Sequence, residues 1–317
     1  MMAKIALLGA TSHIARDLIR WMAPQAQHSL GLFSRRSDEL MKWARAEARA
    51  DGIASLPYDA FPGGEYDAII NFVGAGDPAR TAGMGGAILD VTYEFDSLAL
   101  AYVRRNPRTR YIFLSSGAAY GATFLRPAER ETLAEYPIND LSASDYYSVA
   151  KLHAECRHRA MSDASIIDIR IFNYFSRTAD IAARFLMTDV IRAIHRNEIL
   201  QVGEAPMRRD FLTPPDFAQL IDCALNAAPM NLAIDAYSRA PVEKFDLLRR
   251  MGSEFGLRYE TVPAPPVILS TGAKPDYYST NRRAAELGYA PAYSSIDGAV
   301  IEARALLQRL EAYTKSL

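Results

Sequence analysis

Short apolar runs alternate with longer stretches of helical spacing through the first half of the chain, and this alternation limits the possible folds more than any other feature. Short runs rich in β-branched and aromatic residues are typical of buried strands. The stretches between them, such as 15–22 and 97–105, predict crossover helices. The sequence therefore predicts an α/β fold with a doubly wound parallel sheet, whose ligands lie at the carboxyl ends of the strands. The predicted strands are 5–8, 30–33, 53–56, 68–72, 111–114 and 166–171.

Charge and cysteine content exclude several classes of function. The 317 residues carry a net charge of −1, so no general basic field attracts nucleic acid or an anionic membrane surface. Cys156 and Cys223 lie in separate helix-like stretches, which argues against a disulfide framework or a cysteine metal site. No apolar run reaches the ~20 residues of a membrane span. We expect a cytoplasmic protein without a metal, nucleic-acid or membrane partner.

The first predicted strand runs into the turn Gly9-Ala10-Thr11-Ser12-His13-Ile14-Ala15. Ser12 and Ala15 stand where a Gly-x-x-Gly-x-x-Gly dinucleotide turn has its second and third glycines. Both are small enough for the backbone to approach a pyrophosphate and for the helix to pack on the strand. A strand-turn-helix with Ser12 as N-cap gives the same pattern, so the turn alone is a weak signal. The residues expected to contact a cofactor here are Gly9, Thr11, Ser12, His13 and Ile14.

The end of the second strand indicates which cofactor the chain binds. Folds that bind NAD commonly place Asp or Glu there, where the carboxylate accepts a hydrogen bond from the ribose hydroxyl. This chain has Ser34, Arg35 and Arg36 instead. Guanidinium groups form charge-assisted bonds to a 2′-phosphate, which a carboxylate would repel. We therefore predict NADP, with NAD as the alternative, although two arginines on an exposed turn give the same sequence.

Two more segments are assigned to the cofactor by their position after strands. Asp59 follows the short strand 53–56 and is expected to accept a hydrogen bond from the adenine amino group. Asn71, Val73 and Gly74 lie at the end of the fourth strand, 68–72, and are expected to pass under the cofactor.

Tyr147 and Lys151 are four residues apart in a helical stretch and so lie on one face. A nearby ammonium stabilises a tyrosinate and lowers a phenol pKa from its reference value of ~10. Hydride transfer to a carbonyl needs such a proton donor and a second polar group that orients the oxygen. Ser116, at the end of the fifth strand, is the candidate for the second group. A solvated Tyr–Lys pair has the same spacing, so the strand end decides the interpretation.

In these motifs the chain resembles the extended short-chain dehydrogenase/reductases, the nucleotide-sugar epimerase and dehydratase family. Their active-site strand ends in Ser-x-x-x-Tyr-Gly and precedes Tyr-x-x-x-Lys, as Ser116 to Gly121 and Tyr147 to Lys151 do here. The resemblance covers nearly the whole chain, and its further matches are Arg170-Ile171-Phe172-Asn173-Tyr174, Arg209-Asp210-Phe211 followed by Asp216, and Lys274-Pro275-Asp276.

The resemblance implies a Rossmann-type fold with a smaller C-terminal substrate-binding lobe. Ser116, Tyr147 and Lys151 become the catalytic set, with Tyr147 and Lys151 also contacting the cofactor. Asn173, Arg209 and Lys274 would contact the diphosphate of a nucleotide-linked sugar. A structural cap at Asn173 and a surface position for Arg209 remain open alternatives. The implied substrate-binding residues are Ser116, Gly117, Tyr120, Asn173, Arg209 and Lys274.

The resemblance also implies two lobes and a homodimer. We expect 1–172 to form the NADP-binding Rossmann domain, with 211–237 returning to it. The nucleotide-sugar lobe then comprises 173–210 and 238–317. Members of the family often pair two helices from each subunit, and 98–103 with 149–156 are the expected surface, although a monomer core gives the same pattern.

The active-site strand also discriminates between reactions. The family's 4,6-dehydratases carry an Asp-Glu pair after the catalytic hydroxyl residue, where this chain has Gly117-Ala118. A branch that epimerises beside a keto group uses a Cys and a His, which are absent from 115–121 and 173–184 respectively. A keto-sugar reductase needs only a hydride and the Tyr147 proton, whereas a 4-epimerase re-reduces the carbon it oxidises and retains NAD. Arg35 and Arg36 favour an NADPH-dependent reductase, with the 4-epimerase as the alternative.

Two other classes stay open. A non-enzymatic member of the fold that senses NADP(H) would explain the substituted glycines but not the retention of all three catalytic residues. A reductase of a free small carbonyl would leave Arg209 and Lys274 without an anion.

Overall fold

Strands and helices alternate along the chain in the computed structural model, which describes residues 2–48, 53–74, 81, 83–121, 124–263 and 274–315. In chain order the strands are β1 (Ala3–Leu8), β2 (His28–Phe33), β3 (Ala54–Leu56), β4 (Ala68–Asn71), β5 (Arg110–Ser116), β6 (Ile166–Ile171), β7 (Asn173–Tyr174), β8 (Ile199–Gly203), β9 (Arg208–Arg209), β10 (Phe211–Leu212), β11 (Asn231–Asp235), β12 (Val242–Glu243), β13 (Arg258–Val262) and β14 (Asp276–Tyr277). The α-helices are α1 (His13–Met22), α2 (Ser37–Glu47), α3 (Ala87–Arg105), α4 (Ala143–Arg159), α5 (Leu186–Arg196), α6 (Pro214–Asn226), α7 (Lys244–Phe255) and α8 (Ser295–Lys315).

The main sheet has the strand order β11-β6-β5-β4-β1-β2-β3, and every pair of neighbours in it is parallel. The chain runs outward from β1 to β3, returns to β4 on the other side of β1, and then runs outward in the opposite direction. This reversal between β1 and β4 is the switch point at which such sheets form a ligand crevice. The predicted doubly wound, Rossmann-type sheet is confirmed.

Successive residues of β1 point to opposite faces of the sheet and enter two separate cores. Ile5 and Leu7 pack in the core that contains residues of α1 and α6. Ala6 and Leu8 pack in the core that contains residues of α3 and α4. Because helices cover both faces, all four side chains are fully buried, which explains why the strand is continuously apolar in sequence.

The chain visits the second lobe and then returns to the main sheet. Strand β11 pairs with β6 at the edge, and α6 packs on α1. The second lobe has its own apolar core between α5, α7 and α8, with Leu247, Met251 and Leu306 fully buried. A small sheet of order β12-β9-β14 lies in this lobe and carries Arg209 and Tyr277.

Helix α5 begins at Leu186, whereas the helical spacing starts near residue 181. The Thr188 hydroxyl accepts the Phe185 N–H at 3.0 Å and donates to the Ala183 carbonyl at 2.6 Å. These bonds cap the helix and keep the preceding residues out of it, so the helix begins later than the apolar spacing suggests.

The stretches 98–103 and 149–156, expected at a dimer surface, lie on α3 and α4, which pack against each other within the chain. Leu100, Val103 and Ala154 are buried in the subunit's own core. The homodimer therefore stays a prediction. None of the helices within the described ranges is both long and apolar enough to cross a bilayer.

Candidate active site

Gly9 forms the tight turn between β1 and α1. Its φ is +73°, and a Cβ there would lie 2.8 Å from the Val73 backbone nitrogen, so only glycine fits. Ser12 is the N-cap of α1 and accepts the Ala15 N–H through its hydroxyl at 3.2 Å. The N-terminus of α1 therefore opens onto the crevice with its positive dipole end.

His13 is the first residue of α1, and its imidazole turns toward the second lobe. Its Nε2 lies 2.7 Å from Ser176 Oγ and 3.0 Å from Thr178 Oγ1. Burial lowers the pKa of His13, while the nearby Asp17 carboxylate acts in the opposite direction. The side chain is thus hydrogen-bonded to the protein, and the predicted cofactor contact of His13 stays a prediction.

A serine and two arginines, Ser34, Arg35 and Arg36, directly follow the end of β2. Ser34 is buried, and its Oγ has no hydrogen-bond partner within the part of the chain that the structure describes. Arg35 and Arg36 are exposed, and Arg36 pairs loosely with Glu39 at 3.3 Å. Arg16, which the sequence analysis did not single out, projects from α1 toward this corner; burial and the neighbouring Arg20 and Arg36 charges lower its pKa. Cations that repel one another around an unpartnered hydroxyl are suited to an anion.

The predicted adenine contact at Asp59 has a neighbour that sequence reasoning missed. Asp59 is exposed, and its carboxylate makes no hydrogen bond to another described residue. Tyr58, directly before it, accepts the Gly9 N–H through its hydroxyl at 3.0 Å and packs against Phe95 with ring centroids 4.5 Å apart. The Tyr58 ring therefore forms a wall of the crevice between the glycine turn and the end of β3.

The segment after β4 is held by Asn71. Its amide Nδ2 donates to the Tyr111 hydroxyl at 2.9 Å, and its Oδ1 accepts the Val73 N–H at 2.9 Å. Asn71 therefore shapes the loop, and its amide is occupied by protein atoms. Gly74 has a φ of +146°, and a Cβ there would lie 3.5 Å from Lys151 Nζ, so the loop runs directly beside the candidate catalytic lysine.

Ser116, Tyr147 and Lys151 come together at the end of β5 and on the adjacent face of α4. Burial raises the pKa of the Tyr147 phenol, and its hydrogen bond with Ser116 lowers it. Lys151 Nζ donates to the Leu114 carbonyl at 2.6 Å and lies 5.8 Å from the centroid of the Tyr147 ring. Burial lowers the pKa of Lys151 to about 8, against the opposing effect of the Asp96 carboxylate. The arrangement can hold and move a proton at the Tyr147 oxygen.

A buried ionic network lies directly behind Ser116. Glu155 accepts the Ser115 hydroxyl at 2.5 Å and two hydrogen bonds from the Arg170 Nε, at 3.0 and 3.1 Å. Arg170 also lies 3.6 Å from Asp235, which accepts the Tyr120 hydroxyl at 3.0 Å. This network joins β5, α4, β6 and β11 and fixes the backbone that carries the candidate catalytic serine.

Two predicted substrate residues follow Ser116: Gly117, where packing requires a glycine, and Tyr120, whose hydroxyl is bound to another side chain. A Cβ on Gly117 would lie 2.4 Å from the Phe172 ring, so the backbone approaches this ring as only glycine allows. The Tyr120 ring is buried with its hydroxyl bound to Asp235. Tyr120 can therefore offer its ring to a substrate, while its hydroxyl is held by the protein.

The three residues predicted to hold a diphosphate lie together on the second-lobe side of the crevice. Asn173 Nδ2 donates to the Asp210 and Tyr277 carbonyls at 3.3 and 3.2 Å. Arg209 is only 3% exposed, and its Nη1 donates to the Arg208 and Lys274 carbonyls at 2.7 and 2.8 Å.

Both cations carry lowered pKa values. Burial lowers the pKa of Arg209 to about 10. Burial, followed by repulsion from Arg209, lowers the pKa of Lys274 to about 8. Lys274 has no ion pair with any carboxylate in the described ranges; its Nζ lies 4.7 Å from the centroid of the Tyr277 ring. Two neighbouring cations that are largely shielded from solvent are stabilised by an anion that binds between them.

The fold is shared by solved enzymes of low sequence identity. A UDP-glucose 4-epimerase from Thermotoga maritima, solved with UDP-glucose, is 15% identical with a TM-score of 0.80, covering 97% of this chain and 99% of its own. A UDP-N-acetylglucosamine 4-epimerase from Methanobrevibacter ruminantium has 12% identity and a TM-score of 0.80 over 98% and 99% of the two chains. A dTDP-glucose 4,6-dehydratase from Bacillus anthracis, solved with NAD, has 14% identity and a TM-score of 0.76 over 98% of each chain.

Sequence comparison identifies the family. A search of proteins with curated functions returned no match. The sequence profile of the NAD dependent epimerase/dehydratase family matches residues 5–234, which contain the glycine turn, β5 and the Tyr147–Lys151 helix. The resemblance inferred from the motifs is confirmed: the chain belongs to the NAD dependent epimerase/dehydratase family, an enzyme family of the extended short-chain dehydrogenase/reductase type.

Proposed function

We propose that the chain is an NADPH-dependent reductase of a keto-sugar linked to a nucleoside diphosphate. The observation that carries this proposal is that the two candidate diphosphate-binding cations and the candidate catalytic serine all lie close to one side chain, Tyr277. Lys274 and Arg209 both lie near the Tyr277 ring, with Lys274 Nζ 4.7 Å and the Arg209 guanidinium carbon 6.0 Å from its centroid. Ser116 Oγ lies 3.3 Å from the Tyr277 hydroxyl oxygen. A diphosphate at the cations would leave an attached sugar beside Ser116 and Tyr147.

The residues around the glycine turn fit a dinucleotide. Gly9 packs directly against the Val73 backbone and forms the tight turn into α1, whose N-terminus faces the crevice. The unpartnered Ser34 hydroxyl, with Arg35 and Arg36 beside it, suits the extra phosphate of NADP. When bound, NADPH supplies the hydride. In this proposal residues 1–172 with 211–237 hold the cofactor, and 173–210 with 238–317 hold the sugar nucleotide.

The chain's own residues manage the proton. Tyr147 donates its phenolic proton to the carbonyl oxygen as that oxygen gains negative charge, and Ser116 holds the same oxygen by a hydrogen bond. The Lys151 ammonium stabilises the phenolate left on Tyr147. Solvent then restores the proton to Tyr147. Each turnover thus takes up one hydride and one proton and converts a ketone into a secondary alcohol.

A 4-epimerase is the second candidate, because two of the structures with this fold are 4-epimerases and the same three residues serve that reaction. A dehydratase is disfavoured by Gly117-Ala118, which provide no acid and base for the elimination of water. The two candidates separate in one assay with a nucleoside-diphosphate 4-keto-hexose. A reductase consumes one NADPH for each alcohol formed, whereas a 4-epimerase retains its cofactor through purification and interconverts UDP-hexoses with no net consumption.

The double variant Arg35→Ala/Arg36→Ala is expected to raise the Kd for NADPH by about 10- to 100-fold, which corresponds to the loss of one charge-assisted bond of about 1.5–3 kcal/mol. The Kd for NADH should change less than about twofold, because NADH has no 2′-phosphate. Calorimetric titration with both cofactors measures this. Arg45→Ala, an exposed arginine on α2, is the control. Equal losses for NADPH and NADH would contradict the assignment.

The rate of reduction is expected to fall as the pH rises through about 8. Burial lowers the pKa of Lys151 to about 8, so the ammonium that stabilises the Tyr147 phenolate is present below this pH and lost above it. Well above the pKa, kcat/KM should fall about tenfold per pH unit. A profile of kcat/KM from acidic to alkaline pH tests this. A value of kcat/KM that stays constant up to about pH 9, ~one unit above the Lys151 pKa, would contradict it.

A further inference from the structure

Tyr277 is a hydroxyl-bearing residue beside the candidate catalytic set that no sequence motif includes. It lies on β14, which pairs with β9 in the second lobe. Its hydroxyl nevertheless lies 3.3 Å from Ser116 Oγ, across 161 residues of sequence. The side chain is 5% exposed, so this contact is made inside the protein.

The Tyr277 ring is held in place by other aromatic rings. Phe124 and Phe172 contact it with centroids 4.8 and 5.2 Å away. The Asn173 amide donates to the Tyr277 carbonyl at 3.2 Å and fixes its backbone. A ring that packs against two other rings presents its hydroxyl at a defined point, as a preorganised site requires.

The hydrogen-bonding capacity of Ser116 is limited. A serine hydroxyl has one proton to donate and two lone pairs that accept. The Ala118 N–H takes one lone pair at 3.1 Å. The Ser116 hydroxyl then has one lone pair and one proton left, and these are shared among Tyr147, Tyr277 and a bound substrate oxygen. The group that donates to Ser116 therefore determines where the Ser116 proton can point.

Tyr277 is suited to be that donor. Burial raises the pKa of its phenol above the ordinary value of ~10, and the hydrogen bond it shares with Ser116 acts in the opposite direction. Tyr277 therefore keeps its proton through the neutral range. Ser116 Oγ, 3.3 Å away, is the one hydrogen-bond acceptor that the described residues offer the Tyr277 hydroxyl, so the phenolic proton is best directed at Ser116.

We propose that Tyr277 is a positioning residue: its hydroxyl donates to Ser116 Oγ, which directs the Ser116 proton to the substrate oxygen that Tyr147 protonates. The inference rests on the proposed function and adds a residue to its active site. Tyr277 acts through Ser116, so its effect depends on the serine being present.

Tyr277→Phe removes this hydroxyl and preserves the ring. We expect kcat for a nucleoside-diphosphate 4-keto-hexose to fall about 5- to 10-fold, the loss of one neutral hydrogen bond in the transition state, with KM changed less than about twofold. Tyr278→Phe is the matched control, because Tyr278 is equally buried and its hydroxyl has no partner among the described residues. Its kcat should equal that of the wild type, and thermal melting checks that both variants fold.

A double-mutant cycle then tests whether Tyr277 acts through Ser116. In the Ser116→Ala background, Tyr277→Phe should lower kcat no further, so the two losses should not add. Losses that multiply would show that Tyr277 acts independently of the serine and would overturn the proposal. A kcat for Tyr277→Phe equal to that of Tyr278→Phe would overturn it as well.

The failure of this inference differs from the failure of the proposed function. If the wild type reduces the keto-sugar and Tyr147→Phe does not, but Tyr277→Phe behaves as the control, only the role of Tyr277 is wrong. If the wild type consumes no NADPH with any nucleoside-diphosphate 4-keto-hexose, the reductase is rejected and the positioning role with it.

Discussion

Tyr147→Phe is expected to lower kcat for the keto-sugar by about 10²- to 10⁴-fold, the usual contribution of a positioned general acid. The substitution removes the proton that the carbonyl oxygen receives and leaves the ring on α4. Affinity for NADPH should stay within about twofold, because the glycine turn and the arginines at the end of β2 are untouched. Steady-state kinetics and calorimetric titration measure the two effects separately.

Tyr146→Phe is the matched control for this variant. Tyr146 lies on the same helix one residue earlier and therefore points about a quarter-turn away from Tyr147. Its turnover should match the wild type. Unchanged turnover in Tyr147→Phe would rule out the assigned catalytic set, whereas a joint loss of turnover and cofactor binding would indicate a disturbed fold.

Arg170→Ala is expected to lower the free energy of unfolding by about 3–5 kcal/mol, because removing one partner of a buried ion pair leaves an uncompensated charge. Glu155 and Asp235, both buried, would lose their shared guanidinium. Turnover should fall too, since Glu155 holds Ser115 next to Ser116. Urea unfolding measures the free energy.

The control for Arg170 is an arginine in a surface pair. Arg249 contacts Asp246 on α7, and both side chains are at least half exposed. Arg249→Ala should cost less than about 1 kcal/mol, because water solvates the remaining carboxylate. An Arg170→Ala protein as stable as Arg249→Ala would mean that the buried network does not support the active-site strand.

The strands and helices of the main sheet could be predicted because their causes are local. The run 5–8 is apolar at every position since helices cover both faces, and the structure places all four residues in β1. Strand β11 was harder to recognise: Asn231 and Asp235 are polar, and Asn231 is bound to backbone carbonyls of α4 and the turn after it. The partners of the Asn231 side chain lie 70 and 73 residues away in sequence and leave no local pattern.

The candidate site was predictable where a motif combines backbone geometry with chemistry. Gly9 and the Tyr147–Lys151 pair are of this kind. Tyr58 and Tyr277 were missed because each reaches the site across a long sequence separation, 49 residues to Gly9 and 161 to Ser116. Asn71 ends β4, and the sequence cannot reveal that both ends of its amide are bound to protein atoms.

The most direct test of the account is a calorimetric titration of the purified protein with NADPH and with NADH, alone and with UDP or dTDP present. The account predicts that NADPH binds at least about tenfold more tightly than NADH, and that one nucleoside diphosphate strengthens its binding by occupying the Arg209–Lys274 pair. Tighter binding of NADH, or no binding of either cofactor, would contradict it.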